Sequence, residues 1–216
     1  MNGSSGAVVS NSVSRNHGTH GIVAVNASNT RIVGCEVSDV GCSGIRASGG
    51  NASTLRAGNV TVEGNVVTRH ANWKRSYQPG IFWSGVSNRF LSNTVSGAPH
   101  NCMLGGVSFE GAERYAEGKT SSHSRRHRCS NCMEQGDFGD GVDNVFEDNT
   151  LTDCTYETLD SGAFYTCGQQ GAAFVNRGNV LRSNCFRRIY NTAGTGVQRW
   201  DANSAVYLDD QMSGWT

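Results

Sequence analysis

Acidic residues flank two short apolar segments, 162–165 and 204–207, and they are the first candidates for chemistry. Two acids precede the first segment and two follow the second: Glu157, Asp160, Asp209 and Asp210. Neighbouring carboxyl groups move each other's pKa apart, so one stays protonated as a general acid while another remains a base or nucleophile, as hydrolysis of a glycosidic bond requires. The competing interpretation is that each acid caps a turn or lies in solvent.

Strand geometry limits which of these acids can meet. If Gly162 pairs with Ser204, Asp160 lies two residues before the shared position and Asp209 lies five residues after it. A straight strand, at ~3.3 Å per residue, would then hold the two carboxylates about 23 Å apart, so a bend is needed to bring them into one cleft. Asp201, three residues before Ser204, is the reserve candidate because it would lie closer to Asp160.

A second group of candidate ligands lies in a segment of roughly 111–140 that is rich in charge, Ser and Gly. The pattern His-x3-His-x-Cys-x2-Cys contains His123, His127, Cys129 and Cys132. Two imidazoles and two thiolates could bind zinc tetrahedrally and order the segment. Zinc sites usually separate their two ligand pairs by a longer run, which favours the competing interpretation of a basic loop with Cys129 and Cys132 oxidised.

Aromatic residues form a further cluster along the chain: Trp73, Tyr77, Phe82 and Trp83. Sugar-binding grooves typically offer flat apolar faces with polar groups beside them. Core packing accounts equally well for Phe82 or Trp83, whereas Trp73 lies in the polar segment 71–76 and has less reason to be buried. Trp73 is therefore the predicted sugar-stacking residue outside the acid cluster.

Composition restricts the elements that can position these side chains. The 216 residues include 28 Gly, 2 Pro, and 18 basic and 18 acidic side chains, for a net charge of zero. Gly and Asn disfavour long helices, and the scarcity of Pro suits strands that need nearly every backbone N–H. The balanced charge argues against a nucleic-acid partner. The sequence contains no run of ~18 apolar residues, so no membrane span is predicted. The first residues do not read as an export signal.

An internal repeat runs through the sequence. An apolar residue is followed three positions later by a centre that is usually Asn, and two positions after that by another apolar residue. The six centres are Asn11, Cys35, Asn65, Asn93, Asn149 and Asn184. A second apolar segment follows each centre, so each repeat is predicted to contain at least two short strands. Such repeats predict an all-β fold, a right-handed parallel β-helix or solenoid of about six coils. Leucine-rich repeats and propellers lack support because their marker residues are missing.

The recurrent Asn has a physical role in a stack of coils. Its amide can bond to the backbone and to the Asn one coil away, forming a ladder that the thiol of Cys35 would interrupt. We expect a single domain over 1–216 with a surface insertion at about 111–140. Repeats begin almost at once, and the chain stops where another coil is expected, which predicts a truncated solenoid that continues into further coils of a longer chain.

The other cysteines are interpreted as small hydrophobes or as a local pair. Four fall within or beside strands and are predicted to be free, buried thiols: Cys102, Cys154, Cys167 and Cys185. Cys35 and Cys42 could pair if oxidised, but connectivity cannot be deduced from spacing.

Four motifs occur in order over roughly residues 80–216, outside the insertion. They read Gly-Ala-Pro-His-Asn (97–101), Asp-Ser-Gly-Ala-Phe-Tyr (160–165), Gly-Asn-Val-Leu-Arg-Ser-Asn (178–184) and Tyr-Leu-Asp-Asp-Gln-Met-Ser-Gly (207–214). Together they resemble bacterial right-handed β-helix proteins of the pectate-lyase-like superfamily, which are grouped with polysaccharide-degrading glycoside hydrolases. The earlier repeats match only the generic pattern.

The resemblance implies a secreted protein with a polysaccharide or oligosaccharide substrate and no required cofactor. It implies a groove in which Asp160 acts with Asp209 or Asp210 as the acid and base pair, while His100 and Tyr165 orient sugar hydroxyls. Glu157 and Trp73 complete the expected substrate-binding set. Where similar proteins commonly have Gly-Arg-Asp after the tyrosine, this chain reads Thr-Cys-Gly-Gln-Gln, so an expected basic contact to substrate is missing.

Three functions are therefore left open. The first is hydrolysis of a cell-wall or algal polysaccharide by carboxylate acid/base catalysis. The second is a lyase of the same superfamily, in which a base removes the C5 proton of a uronic acid, often with Ca²⁺ on the carboxylate. It would need Lys or Arg in the groove, where Asp160 and Asp209 place acids instead. The third is a non-catalytic module that binds glycan, which the missing basic contact suits.

Overall fold

The computed structural model describes residues 1–52, 54–106, 141–167, 178–190, 203–209 and 214–216. These residues are all-β: they contain no helix, and their strands form three parallel sheets. Within the described chain there is accordingly no helix long and apolar enough to cross a membrane. Successive strands enter the first, second and third sheet in a fixed order. Three consecutive strands, one in each sheet, form what we call a repeat unit, and the units are numbered 1 to 6 along the chain.

Each sheet takes one strand from every unit. The first sheet contains β1 (Val8–Ser10), β4 (Arg31–Val33), β8 (Thr61–Glu63), β11 (Arg89–Leu91), β15 (Val145–Glu147) and β18 (Val180–Arg182). The second contains β2 (Val13–His17), β5 (Glu36–Val40), β9 (Val66–Thr68), β12 (Thr94–Ala98), β16 (Thr150–Cys154) and β19 (Cys185–Ile189). The third contains β3 (Ile22–Ala27), β6 (Ile45–Asn51), β10 (Ile81–Val86), β13 (Met103–Gly105), β17 (Gly162–Cys167) and β20 (Ser204–Asp209). Two short strands complete the set, β7 (Arg56–Ala57) antiparallel to β6 and β14 (Gly141–Val142) parallel to β10.

The core is built from columns of apolar side chains, one residue per unit. Because side chains alternate along a strand, residues in register point to the same side of their sheet. The first-sheet column runs Val9, Ile32, Val62, Phe90, Phe146 and Leu181, and the third-sheet column runs Ile22, Ile45, Ile81, Met103, Phe164 and Val206. Aromatic rings fill the core at units 3 to 5, where Phe146 lies 4.7 Å from Trp83 and 5.0 Å from Phe90 between ring centroids.

The predicted asparagine ladder is confirmed. Asn65, Asn93 and Asn149 each donate from the backbone N–H and from Nδ2 to the side-chain oxygen of the next unit's Asn, ending on Asn184, at 2.9–3.1 Å. Nδ2 of each also donates to a backbone carbonyl of the preceding unit. Cys35 joins through its backbone N–H, which donates to Oδ1 of Asn65 at 2.9 Å, while its thiol donates to the carbonyl of Val9 in the preceding unit at 3.7 Å and offers no side-chain oxygen to that unit. The thiol ends the ladder, as expected from the sequence.

A second ladder lies at the start of the first-sheet strands and was not predicted. Asn88 donates from its backbone to Oδ1 of Asn144 at 2.9 Å, and Asn144 donates in the same way to Asn179 at 3.1 Å. Each of these residues is buried and precedes its first-ladder partner by five positions. That recurring five-residue spacing of Asn is a signal from which the second ladder could have been found.

The first predicted repeat is displaced by one residue. Val9 pairs with Ile32, so Ser12, and not Asn11, occupies the position of Cys35. The predicted flanking residues of that repeat, Val8 and Val13, are 60% and 62% exposed. Asn11 instead takes the left-handed turn position that Gly34 holds in the next unit, with φ of 47° and 62° respectively. Asn tolerates this conformation better than other non-glycine residues, so its presence at a turn was mistaken for a ladder position.

The predicted insertion interrupts the third-sheet strand of unit 4. Gly105 pairs with Trp83 and Gly141 pairs with Gly85, so the chain leaves the sheet and returns to it two positions further along β10. The four zinc-ligand candidates, His123, His127, Cys129 and Cys132, lie in the intervening segment and outside the described residues. Asp201 and Asp210, which come later in the chain, are also outside the described residues.

The prediction of free thiols at Cys102 and Cys154 is wrong. The two residues form a disulfide, with Cα atoms 5.7 Å apart, that joins unit 4 to unit 5. The suggested Cys35–Cys42 pair is also absent, because Cys35 is free and Cys42 is disulfide-bonded. Sequence spacing failed here because Cys102 and Cys154 are 52 residues apart and meet only through the stacking of units. Cys185 is free, as predicted, and the side chain of Cys167 is outside the description.

Replacement of Asn93 by Leu should lower the free energy of unfolding by about 3 kcal/mol or more, because the N–H groups of Asn65 and the carbonyl of Val62 would lose buried partners. Asn72→Ala, at an exposed Asn with one hydrogen bond to a backbone carbonyl, is the matched control and should cost much less. Urea unfolding of the two variants measures the difference. Equal losses would contradict a stabilising role for the ladder.

Removal of the disulfide by Cys102→Ala and Cys154→Ala together should cost about 2–4 kcal/mol, because the unfolded chain loses a cross-link over a long loop. Cys35→Ala, at a free buried thiol, serves as the single-site control. Alkylation of the denatured, unreduced protein followed by peptide mapping checks the pairing. Labelling of Cys102 and Cys154 without a reductant would show that the bond is not formed.

Candidate functional site

The outward side of the third sheet carries one register column that is rich in large apolar and aromatic side chains. The residues in register are Val23, Arg46, Phe82, Leu104, Tyr165 and Tyr207, one from each unit. We call this set the outer column. Its middle members, Phe82, Leu104 and Tyr165, are only 3–5% exposed, and Tyr77 and Tyr207 pack against them. The outer column is thus a second apolar cluster, distinct from the core and flanked by polar groups.

Two tyrosine–aspartate contacts lie at the unit 5 and unit 6 end of this column. Tyr165 donates from its hydroxyl to Oδ2 of Asp209 at 2.6 Å, and Tyr207 donates to Oδ1 of Asp160 at 2.9 Å. The two rings pack edge to face with centroids 5.5 Å apart. We call these four residues the Tyr–Asp cluster. The structure therefore links three residues that the sequence singled out, Asp160, Tyr165 and Asp209, and adds Tyr207.

The two carboxylates approach this cluster from opposite ends of the strands. Gly162 pairs with Ser204 as anticipated, and Cys167 pairs with Asp209, so seven register positions separate Asp160 from Asp209. Asp160 precedes β17 in an exposed left-handed turn with φ of 51°, whereas Asp209 ends β20. The acids are connected through two phenol side chains instead of facing each other directly.

His100 lies at the corner that precedes the third sheet and holds a neighbouring segment. Its Nδ1 accepts a hydrogen bond from the backbone N–H of Tyr77 at 2.9 Å, and the two rings meet edge to face at 4.6 Å. The side chain is buried, and burial lowers its pKa to about 4. A neutral, buried acceptor fixes the segment before β10. The predicted role of His100 in orienting sugar hydroxyls stays a prediction.

Glu157 forms an ion pair at the same corner. Arg75 donates from Nε to Oε2 of Glu157 at 2.8 Å and from Nη2 to Oε1, and its Nη1 donates to the carbonyl of Ala71. The hydrogen bonds from Arg75 lower the pKa of Glu157 and keep it ionised. The pair joins the segment before β10 to the turn before β17, so its first effect is to position the corner.

Arg46 is a polar member of the outer column that the sequence analysis did not name. Its guanidinium lies 5.2 Å from the ring centroid of Phe82, and Nη1 lies 3.4 Å from Nε2 of His20. Burial lowers the pKa of Arg46 to about 10. Ser43 connects the group further, donating from its backbone to Nδ1 of His20 and from Oγ to Oε1 of Gln78. Alignment of Arg46 with Phe82 in the repeat would have placed it on this face.

The remaining aromatic candidates separate into different environments. Trp83 is fully buried in the core, whereas Phe82 belongs to the outer column. Trp73 is 77% exposed and packs across Gly18 and Gly41, in the turns before the third-sheet strands of units 1 and 2. Among the described residues, no group of three or more His, Cys, Asp or Glu side chains is arranged to hold a metal ion.

Comparison of the chain with protein-family models, curated proteins and solved structures finds no match. The all-β architecture with parallel sheets agrees with the resemblance noted from the sequence, but membership of the pectate-lyase-like superfamily stays a prediction. The contacts of the outer column are therefore the observations that bear on function.

Acid should destabilise the fold through two buried histidines. Burial lowers the pKa of both His70 and His100 from 6.5 to about 4. The unfolded chain therefore takes up protons first as the pH falls. The free energy of unfolding should be highest above pH 6.5 and should decrease toward pH 4, by roughly 3 kcal/mol for each histidine.

Urea unfolding at a series of pH values measures this slope. His100→Asn keeps an oxygen that can accept the hydrogen bond from the backbone N–H of Tyr77 and should remove about half of the pH dependence. His70→Leu, as a separate single variant, should remove the other half. An unchanged slope in both variants would exclude these histidines as its source.

Proposed function

We propose that the three parallel sheets form a right-handed parallel β-helix of about six coils, with each repeat unit as one coil. Strand connections between parallel neighbours in one sheet are almost always right-handed, which supports the hand. The fixed order of the sheets and the two asparagine ladders support the solenoid. On this proposal the outer column runs parallel to the axis of the solenoid. Its middle members are buried, and the binding face lies at its unit 6 end, where Tyr207 is half-buried and Asp160 is exposed.

We infer that this face binds a cell-wall or algal polysaccharide outside the cell. The observation that carries the inference is the Tyr–Asp cluster: two phenol rings packed together, with each hydroxyl hydrogen-bonded to a carboxylate at the rim. Tyr165 is 5% exposed and supports Tyr207, whose half-buried ring can stack on the apolar face of a sugar. The exposed Asp160 and the half-buried Asp209 can accept hydrogen bonds from sugar hydroxyls. The hydroxyl contacts hold both carboxylates in place before a ligand arrives, which reduces the ordering cost of binding.

An extracellular location is part of the same proposal. The Cys102–Cys154 disulfide supports it, because such bonds persist in oxidising compartments and are rare in the reducing cytosol.

Hydrolysis is the second proposal and adds a reaction to the same face. Asp209 favours it, because a carboxylate hydrogen-bonded to a phenol at 2.6 Å is held in a defined orientation. A glycosidase needs a second carboxyl group about 5–9.5 Å away. Asp160 reaches the cluster from the far end of the strand, so Asp210, adjacent to Asp209 in sequence, is the other candidate partner.

Asp160→Asn and Asp209→Asn should each weaken polysaccharide binding by about tenfold, because an amide replaces an anionic acceptor. Asp148→Asn is the matched control: Asp148 is also an exposed aspartate in a left-handed turn, with φ of 57°, but it lies at the first-sheet corner. Affinity electrophoresis in gels containing pectin, xylan, alginate or fucoidan measures binding. Equal effects of all three variants would argue against the proposed face.

The same polysaccharides distinguish the possible reactions. New reducing ends that disappear in Asp209→Asn would support hydrolysis. New ultraviolet absorbance from an unsaturated uronide would support a lyase. Binding without either product would identify a glycan-binding module, and absence of binding to every polysaccharide would contradict the proposed function.

A further inference from the structure

The indole ring of Trp73 is exposed to solvent and so lacks the stabilisation that burial would give. It is 77% exposed, whereas Trp83 is fully buried in the core. Burial of a large apolar side chain is strongly stabilising, so an exposed tryptophan ring contributes little to the free energy of unfolding. No other exposed large apolar residue of the described chain lies in the surrounding segments 17–20, 39–43 and 70–76. The ring is therefore a single apolar surface within polar surroundings.

Two glycines form a floor beneath the ring. A Cβ atom on Gly18 would lie 3.1 Å from Cη2 and Cζ3 of Trp73, and one on Gly41 would lie 3.2 Å from Cδ2. Gly18 would meet no other residue within 4 Å, and its backbone is not in the left-handed region. The absence of a side chain at Gly18 therefore leaves room for the indole. The contacts reach opposite sides of the six-membered ring, so the ring spans both glycines.

The backbone that carries Trp73 is held by the unit below it. The N–H groups of Trp73 and Lys74 both donate to the carbonyl of Gly41, at 3.0 and 3.1 Å, and Asn72 donates to Val40 at 3.1 Å. These bonds fix the backbone of Trp73 before any ligand binds, and the ring lies against Gly18 and Gly41. A fixed aromatic surface binds with little loss of conformational entropy.

We infer that Trp73 is a second sugar-binding site, separate from the Tyr–Asp cluster, that stacks on a sugar ring of the same polysaccharide. The inference rests on the proposed function. A protein partner would need a much larger contact, whereas one ring flanked by polar groups such as the Asp39–Arg69 ion pair suits a sugar with its hydroxyls. Trp73 packs on units 1 and 2, and the Tyr–Asp cluster belongs to units 5 and 6. Three steps of ~4.8 Å place the sites at least about 14 Å apart along the stack.

Two sites on one rigid body should favour long chains over short ones. Once one site has bound a polymer, the second meets a further segment of that polymer at high effective concentration. A disaccharide is too short to reach both sites and gains nothing from the second. Trp73 is therefore expected to contribute to polymer binding and not to binding of short fragments at the Tyr–Asp cluster.

The test compares Trp73→Ala and Gly18→Val with the wild-type protein. Gly18→Val leaves the indole present but places a side chain where the ring lies, so it removes the platform without removing the tryptophan. Tyr190→Ala, at another exposed aromatic residue, is the control. Affinity electrophoresis measures binding to pectin, xylan, alginate and fucoidan, and calorimetry measures binding of disaccharides prepared from whichever of these the wild type binds. Circular dichroism and the unfolding midpoint confirm that each variant is folded.

Both Trp73→Ala and Gly18→Val should weaken polymer binding by about tenfold or more and leave disaccharide binding unchanged, while Tyr190→Ala changes neither. Unchanged polymer binding in Trp73→Ala, with losses in Asp160→Asn and Asp209→Asn, would overturn the second site and leave the proposed function standing. Loss only in the Trp73 and Gly18 variants would support this site and contradict the Tyr–Asp cluster as the binding face. No binding of any polymer by the wild type would overturn both.

Discussion

The satisfaction of backbone polar groups at the corners between sheets is the constraint on which the rest of this structure depends. At a buried corner, N–H and C=O groups leave the sheet ladder and cannot reach water, and each unsatisfied group costs about 1–3 kcal/mol. Asparagine meets both needs, since Asn93 accepts from Asn65 through its side-chain oxygen and donates from Nδ2 to the carbonyl of Val62. Because the same contact recurs from unit to unit, it fixes the register of the strands on either side.

A fixed register converts sequence repeats into columns with one chemical character. The inward columns become larger toward the middle units, where Phe90, Phe146 and Trp83 replace the Ile, Val and Ala of units 1 and 2. The outer column follows the same register but collects Arg46, Phe82, Tyr165 and Tyr207. The Tyr–Asp cluster is thus a consequence of stacking. Tyr165 and Tyr207 meet because they occupy equivalent positions in adjacent units, and each hydroxyl then reaches an acid at one end of the neighbouring strand.

The sequence predicted the parallel β-strand repeats, five of the six centres and the Gly162–Ser204 pairing, because these follow from periodicity. Apart from the asparagine ladder, it did not predict which side chains meet between units. The Cys102–Cys154 bond and the Tyr165–Asp209 contact join residues 52 and 44 positions apart, and their partners depend on side-chain direction as well as register. The sequence also did not reveal which residues adopt a left-handed backbone conformation. Arg69 and Arg188 do so, with φ of 46° and 49°, although Arg is not a typical turn residue. Each is paired with an aspartate of the preceding unit, Asp39 and Asp153, which offers a local reason for the charged residue.

The placement of the carboxylates restricts the chemistry that this face can perform. Concerted cleavage of a glycosidic bond needs both carboxyl groups within about 5–9.5 Å of each other around one oxygen. Asp160 and Asp209 begin and end the same stretch of paired strands, and Tyr207 and Tyr165 fill the path between them. Such an arrangement suits recognition of successive positions along a polymer, with one carboxylate at each end of an aromatic contact. Hydrolysis on this face therefore depends on a second acid beside Asp209, and recognition of a glycan does not.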